Sequence, residues 1–309
     1  MKVVALSGGV GGARFLRGLV EVVEPRDVTI VGNVGDDVEV LGLHISPDLD
    51  SILYTLTGLA DEERGWGRAD ESWRALATVA ELGGESWFRL GDRDLGLHLV
   101  RTQLLREGSP LSEATERLAH AFGLQAALLP ATDDPLRTFL ETPAGTFSFQ
   151  TWFVARGHRD EVDDVHFVGS PEATPAPGVL DALREAELIV IAPSNPYVSI
   201  GPILAVAEIQ EALRGRRVPC VAVSPLVGGR AVKGPADRML ERLAGGTSPA
   251  HVASCYEGLI DVLVIDELDA PAEPIRGVGR TVVTETLMTD VAAARRLAAA
   301  TVHASEALA

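Results

Sequence analysis

Residues 3–16 read Val-Val-Ala-Leu-Ser-Gly-Gly-Val-Gly-Gly-Ala-Arg-Phe-Leu, and this stretch decides the fold. Residues 3–6 form a short apolar run of strand type, and residues 7–12 read as a flexible turn. Phe15, Leu16, Leu19, Val20 and Val23 then recur at helical spacing before a second apolar run at 28–31. Strand, glycine turn, helix, strand is the opening of a doubly wound, mostly parallel α/β sheet of Rossmann-like type. Glycines in such a turn let the backbone approach a phosphate, and the helix start behind them supplies N–H donors. Gly8, Gly9, Gly11 and Gly12 are therefore candidate phosphate contacts; a purely structural tight turn is the plainer alternative. The dinucleotide fingerprint is incomplete, because Arg14 stands where the third glycine counted from Gly9 would fall, and no Gly-Lys-Ser/Thr follows.

Working outward, Ser46-Pro47 reads as an N-cap followed by proline at the first helical position. Further helical patterns at 71–82, 95–106 and 111–122 make residues 45–125 a mostly helical, lid-like segment. Residues 139–154 alternate around Thr142-Pro143-Ala144-Gly145, which predicts a small antiparallel hairpin insert. The α/β rhythm resumes with strands at 188–191, 218–223 and 262–265 and closes on an Ala-rich helix from about residue 290. The expectation is one domain over 1–309, with the core at about 1–45 and 160–309 and a helical and hairpin insertion at about 46–159.

The chain has 309 residues, 46% of them hydrophobic, enough for a sizeable core. A net charge of −17 argues against nucleic acid as a partner. No apolar run is long enough for a membrane span and no signal-peptide layout is present, so a cytoplasmic protein without a membrane partner is expected. Cys220 and Cys255 lack ligand spacing and read as inert buried thiols.

Carboxylates dominate the candidate chemistry. Gly35-Asp36-Asp37 follows the second strand, at the edge where such sheets bind ligands, and a hard cation is held there by one or two carboxylates plus substrate phosphates. Turn-forming aspartate is the alternative for Asp36 and Asp37. Asp48 and Asp50 fall in a first helical turn, where compensation of the helix dipole competes with acid/base or metal work; two residues apart, they would rarely ligate one ion together. Arg89 and Arg93 flank Gly91-Asp92 and suit either phosphate or a solvated charge cluster. Pro193-Ser194-Asn195-Pro196 makes a rigid polar loop after an apolar strand, fit to read the edge of a base through Ser194 and Asn195. Lys233, before Gly234-Pro235, is either a phosphate partner or an ordinary surface lysine. No histidine or tyrosine is evident near this rim, which weighs against a dinucleotide-dependent oxidoreductase.

Taken in order, Ser7-Gly8-Gly9-Val10-Gly11-Gly12, Gly35-Asp36-Asp37, Ser46-Pro47-Asp48-Leu49-Asp50, Leu90-Gly91-Asp92-Arg93-Asp94, Pro193-Ser194-Asn195-Pro196 and Thr286-Leu287-Met288-Thr289 resemble the 2-phospho-L-lactate transferase family over essentially the whole chain. The resemblance implies a Mg2+-dependent enzyme, usually a homodimer. It would take a lactyl- or enolpyruvyl-diphosphoguanosine and the deazaflavin Fo, release GMP and yield the precursor of coenzyme F-420. By the same resemblance Asp50 and Arg89 contact the deazaflavin and Asp36 and Asp37 form the acidic metal side. For Asp50 the implied roles are a share in the metal ion or the positioning or deprotonation of the alcohol, and Ser194 and Asn195 belong to the guanosine side. An Ala- and Arg-rich, Lys-poor composition leans toward the enolpyruvyl donor. Trp66, Trp73 and Trp87 fall in the segment expected to cover a flat deazaflavin. The rival is a regulatory relative with the same core that binds a nucleotide sugar without turnover.

Overall fold

In a computed structural model, which describes residues 1–270 and 274–306, seven strands form one wholly parallel sheet. They are β1 (Val3–Ser7), β2 (Val28–Gly32), β3 (Ala127–Pro130), β4 (Leu188–Ile191), β5 (Cys220–Val223), β6 (Val262–Ile265) and β7 (Arg280–Val283). Their spatial order is 3-2-1-4-5-6-7, the doubly wound arrangement, with its switch point between β1 and β4. The central strands β1, β4, β5 and β6 are buried along their whole length. This is why their sequences are continuous apolar runs rather than alternating ones. Helix α1 (Gly9–Leu19) packs between α2 (Pro47–Leu56) and the last helix, Val291–Glu306.

The expected helical segment contains α2, α3 (Arg74–Glu81), α4 (Asp92–Arg106) and α5 (Leu111–Ala121). Two of them cap each other. Glu71 accepts hydrogen bonds from the amides of Arg93 and Asp94 at the start of α4, while Asp92 accepts from Ser72 Oγ and from the amides of Arg74 and Ala75 at the start of α3. Each carboxylate thus satisfies the orphan donors of the other helix. Ser46 does not cap α2; its hydroxyl donates to Asp37 Oδ2 instead.

Two differences from the sequence reading concern the insertion. First, β3 lies inside residues 46–159 yet is the edge strand of the main sheet, paired with β2. Its Ala-Leu-Leu-Pro run is too short to show a period, and only its partner identifies it. Second, the hairpin Arg137–Thr142 with Gly145–Ser148 forms as read, but the chain then leaves the strand and winds through a π turn at Thr151–Ala155. Phe149, Trp152 and Phe153 recur at helical rather than alternating spacing, and the turn packs Phe149 and Trp152 against Leu140, Val162, Val198 and Met239. A third strand, Asp164–Val168, completes this antiparallel sheet. Cys220 is buried and Cys255 partly buried, and both are free thiols. No described helix is long and apolar enough to cross a membrane.

Candidate active site

The loops leaving β1 and β4 meet at the switch point. Ser194 Oγ donates to the Gly8 carbonyl (2.7 Å) and accepts from the Gly8 amide (3.4 Å). Gly9 has φ +69, a left-handed conformation that favours glycine. A side chain on Gly12 would strike the hydroxyls of Ser7 and Ser194, and one on Gly8 would meet Asp48 Oδ2 at 2.5 Å. The glycines are thus required by close packing, and the same packing brings the start of α1 to the surface of a cleft. There the Val10 and Gly11 amides precede the first helical hydrogen bonds and remain free to donate.

That cleft has a volume of ≈ 720 Å³ and runs from the switch point to the helical segment. Gly8, Gly9, Gly11, Asp36, Asp50, Arg89, Ser194, Asn195 and Lys233 all line it. Gly12 and Asp37 do not; they stand behind its wall. Asp37 Oδ2 accepts from Ser46 Oγ (2.8 Å) and pairs with His44 Nε2 (2.9 Å). Asn195 uses its side-chain oxygen to cap the turn Pro196–Ile200, accepting from Tyr197 N (2.9 Å), so its polar edge is largely spent within the protein.

The carboxylates divide into two sets. Asp50 is held by Arg101, whose two terminal nitrogens donate to its two oxygens, one bond at 3.0 Å. Arg101 is buried, and the fork geometry suits a carboxylate. Asp36 and Asp48 have no such cation. Burial pushes Asp48 up to about 6, helped by the charges of Asp37 and Asp50 and opposed by hydrogen bonds from Asn33 and the Gly9 amide. Burial also pushes Asp36 well above the ordinary carboxylate range, with the neighbouring Asp48 charge adding to it. Asp36 Oδ1 has no hydrogen-bond partner. A buried, unpaired carboxylate pair with an orphaned oxygen is a receptor for a proton or a hard cation, and in this respect the donor set fits Mg2+. Elsewhere among the described residues, Glu141, Asp164 and His166 cluster at metal-ligand distances, but on the exposed antiparallel sheet.

Sequence reasoning missed the far wall. His98 and Tyr54 line the cleft, contrary to the expectation of no histidine or tyrosine near it. Tyr54 donates to Asp94 Oδ1 (2.5 Å), and Arg101 Nη1 lies 3.4 Å from His98 Nδ1. On its other side His98 Nε2 stands 3.4 Å from Asp94 Oδ1. Burial alone would raise Asp94, but hydrogen bonds from His98 and Tyr54, with the His98 and Arg101 charges, bring it below its usual value. The signal was present: Asp94, His98 and Arg101 follow at i, i+4 and i+7, one stripe of a helix. Aromatic rings close the cleft from two sides. Trp66, Trp87 and Phe88 come from the helical segment, while Phe149 and Phe153, stacked at 5.1 Å, come from the π turn. Trp73 stands behind Trp66 at 6.3 Å, and the Arg89 guanidinium lies 4.7 Å from its ring centre.

A profile of the family described as 2-phospho-L-lactate transferase CofD matches residues 3–305. A phosphoenolpyruvate transferase of Streptomyces griseus is 43% identical over 306 residues, covering 96% of each chain. Another, of Kitasatospora aureofaciens, is 44% identical over 308 residues with the same coverage. Among solved structures, a UPF0052-family protein of Bacillus halodurans aligns with TM-score 0.61 over 97% of this chain and 98% of its own, at 18% identity, a likeness of fold alone.

Proposed function

The chain belongs to the 2-phospho-L-lactate transferase family, and from that premise we propose that it moves a phosphoenolpyruvyl or phospholactyl group from the corresponding diphosphoguanosine to the terminal ribityl hydroxyl of the deazaflavin Fo. GMP is the second product, and the first is the precursor of coenzyme F-420. The enzyme works in the cytosol as a homodimer. The observation that carries the reading is the division of one cleft into a phosphate end and an aromatic end. Helix-start amides and unpaired carboxylates stand at the first, and Trp66, Trp87, Phe149 and Phe153 at the second. A diphosphate needs the former and a flat tricyclic ring the latter.

In the reaction the hydroxyl oxygen bonds to the phosphorus that carries the three-carbon acid, as that phosphorus parts from the bridging oxygen of GMP. Asp50, oriented by Arg101, accepts the hydrogen bond of the attacking hydroxyl and takes its proton. The Val10 and Gly11 amides face the diphosphate and stabilise charge on the departing phosphate. Asp36 with Asp48 would hold Mg2+, which when bound neutralises diphosphate charge. His98, beside Arg101, faces Asp94 and helps to fix that carboxylate at the cleft wall. The test is direct: the protein is incubated with Fo, Mg2+ and each donor in turn, and GMP is followed by chromatography. Release of GMP that depends on Fo supports the assignment, and none with either donor overturns it.

A further inference from the structure

Arg14 breaks the dinucleotide fingerprint, and the fold shows what it does instead. It lies one helical turn beyond Val10 on α1, so its side chain shares the face that lines the cleft. Lys233, from the loop after β5, reaches the same place. Its Nζ donates to the Gly65 carbonyl (2.6 Å), and a Cβ built on Gly65 would lie 2.9 Å from Lys233 Nζ and 3.9 Å from Arg14 Nη2. Two cationic groups thus converge on one spot in a chain of net charge −17. Among the described residues neither forms an ion pair; the adjacent Glu62 is engaged by Arg17. Partial desolvation and the Arg14 charge pull Lys233 below its ordinary range. The bond to Gly65 fixes the ammonium and leaves two of its three protons free to donate.

We propose that Arg14 and Lys233 form a receptor for the carboxylate of the donor's three-carbon acid, and so select a carboxylated diphosphoguanosine over one lacking that group. The assignment rests on the transferase reading. With the diphosphate at the Val10 and Gly11 amides, the next anionic group toward the aromatic end is that carboxylate, and Arg14 stands one turn of α1 farther in that direction. The receptor also links the two halves of the cleft, because the ammonium that meets the donor is bonded to the loop that carries Trp66.

The probes are lactyl-diphosphoguanosine and the β-ethyl ester of GDP, which differ chiefly in the carboxylate. Titration calorimetry in the presence of Mg2+ gives the affinity ratio of the two for wild type, Arg14→Ala, Arg14→Lys and Lys233→Met, each first checked for an unchanged melting temperature. The wild type favours the carboxylated compound by about tenfold or more, as charge-assisted pairs do. Arg14→Ala and Lys233→Met lose most of that preference while binding the ethyl ester within about twofold of wild type, and Arg14→Lys keeps part of it. A preference that survives both substitutions overturns the proposal. Equal weakening of both probes also does so, since the cations would then read the diphosphate. Failure of the wild type to bind either guanosine compound would instead overturn the transferase reading itself.

Discussion

Arg101→Met removes the cation from a buried pair and leaves Asp50 with no counter-charge. The pair is largely shielded from water, with only an edge of Asp50 meeting the cleft: the side chain of Arg101 is 1% exposed and that of Asp50 7%. Breaking such a pair from one side costs about 3–5 kcal/mol, most of it the uncompensated charge left behind. Unfolding entropy of roughly 2 cal/mol/K per residue makes about 0.65 kcal/mol/K for this chain length, so the melting temperature falls by about 5–8 °C. Differential scanning calorimetry at pH 7.5 reads this directly. The double variant Asp50→Asn/Arg101→Met removes both charges and recovers at least half of the loss, because the two sites are coupled. A single variant that melts within about 1 °C of wild type, or a double variant no better than the worse single one, would refute the buried-pair reasoning and return Asp50 to the set of carboxylates open to a metal ion.

The Asp36 and Asp48 carboxyls are raised in the folded state, so the stability they confer by binding protons is present at low pH and lost as pH rises through about 6 for Asp48. Asp48→Asn should therefore raise the melting temperature of the metal-free protein at pH 8, by roughly 1–3 kcal/mol of stability, and a lower melting temperature would count against an unpaired carboxylate there. For the same reason protons and Mg2+ compete: Mg2+ affinity falls below pH 6 by up to about tenfold per unit with proton release on binding, and a flat profile between pH 5 and 7 would place the ion elsewhere. Trp66→Ala removes one ring of the aromatic end and should raise the KM for Fo about tenfold while leaving donor affinity unchanged; a change in donor affinity alone would move the deazaflavin to another wall.

Local pattern was enough wherever one element declares itself. The run from Val3 to Leu16 announces strand and helix by composition and period, although the expected turn over 7–12 shrinks to Gly8 because Ser7 ends the strand and Gly9–Gly12 form the first turn of α1. The parallel core follows because a strand buried on both faces has to be an unbroken apolar run. The order of short motifs was enough for the family, since each contributes residues to the one cleft. What the sequence could not supply is which polar groups face one another. Asp36, Asp37, Asp48 and Asp50 look alike on paper, and only the packing of α4 against the rest turns Arg101 toward Asp50, His44 and Ser46 toward Asp37, and nothing toward Asp36 Oδ1. β3 was hidden for a related reason, its strand character residing in its partner β2. Arg14 reads in sequence as a missing glycine, and only the approach of Lys233 from a loop more than two hundred residues away makes it half of a cationic pair. Period and turn chemistry are properties of neighbours along the chain. Charge compensation and burial are properties of neighbours in space, and in this protein the second kind sets the chemistry of the cleft.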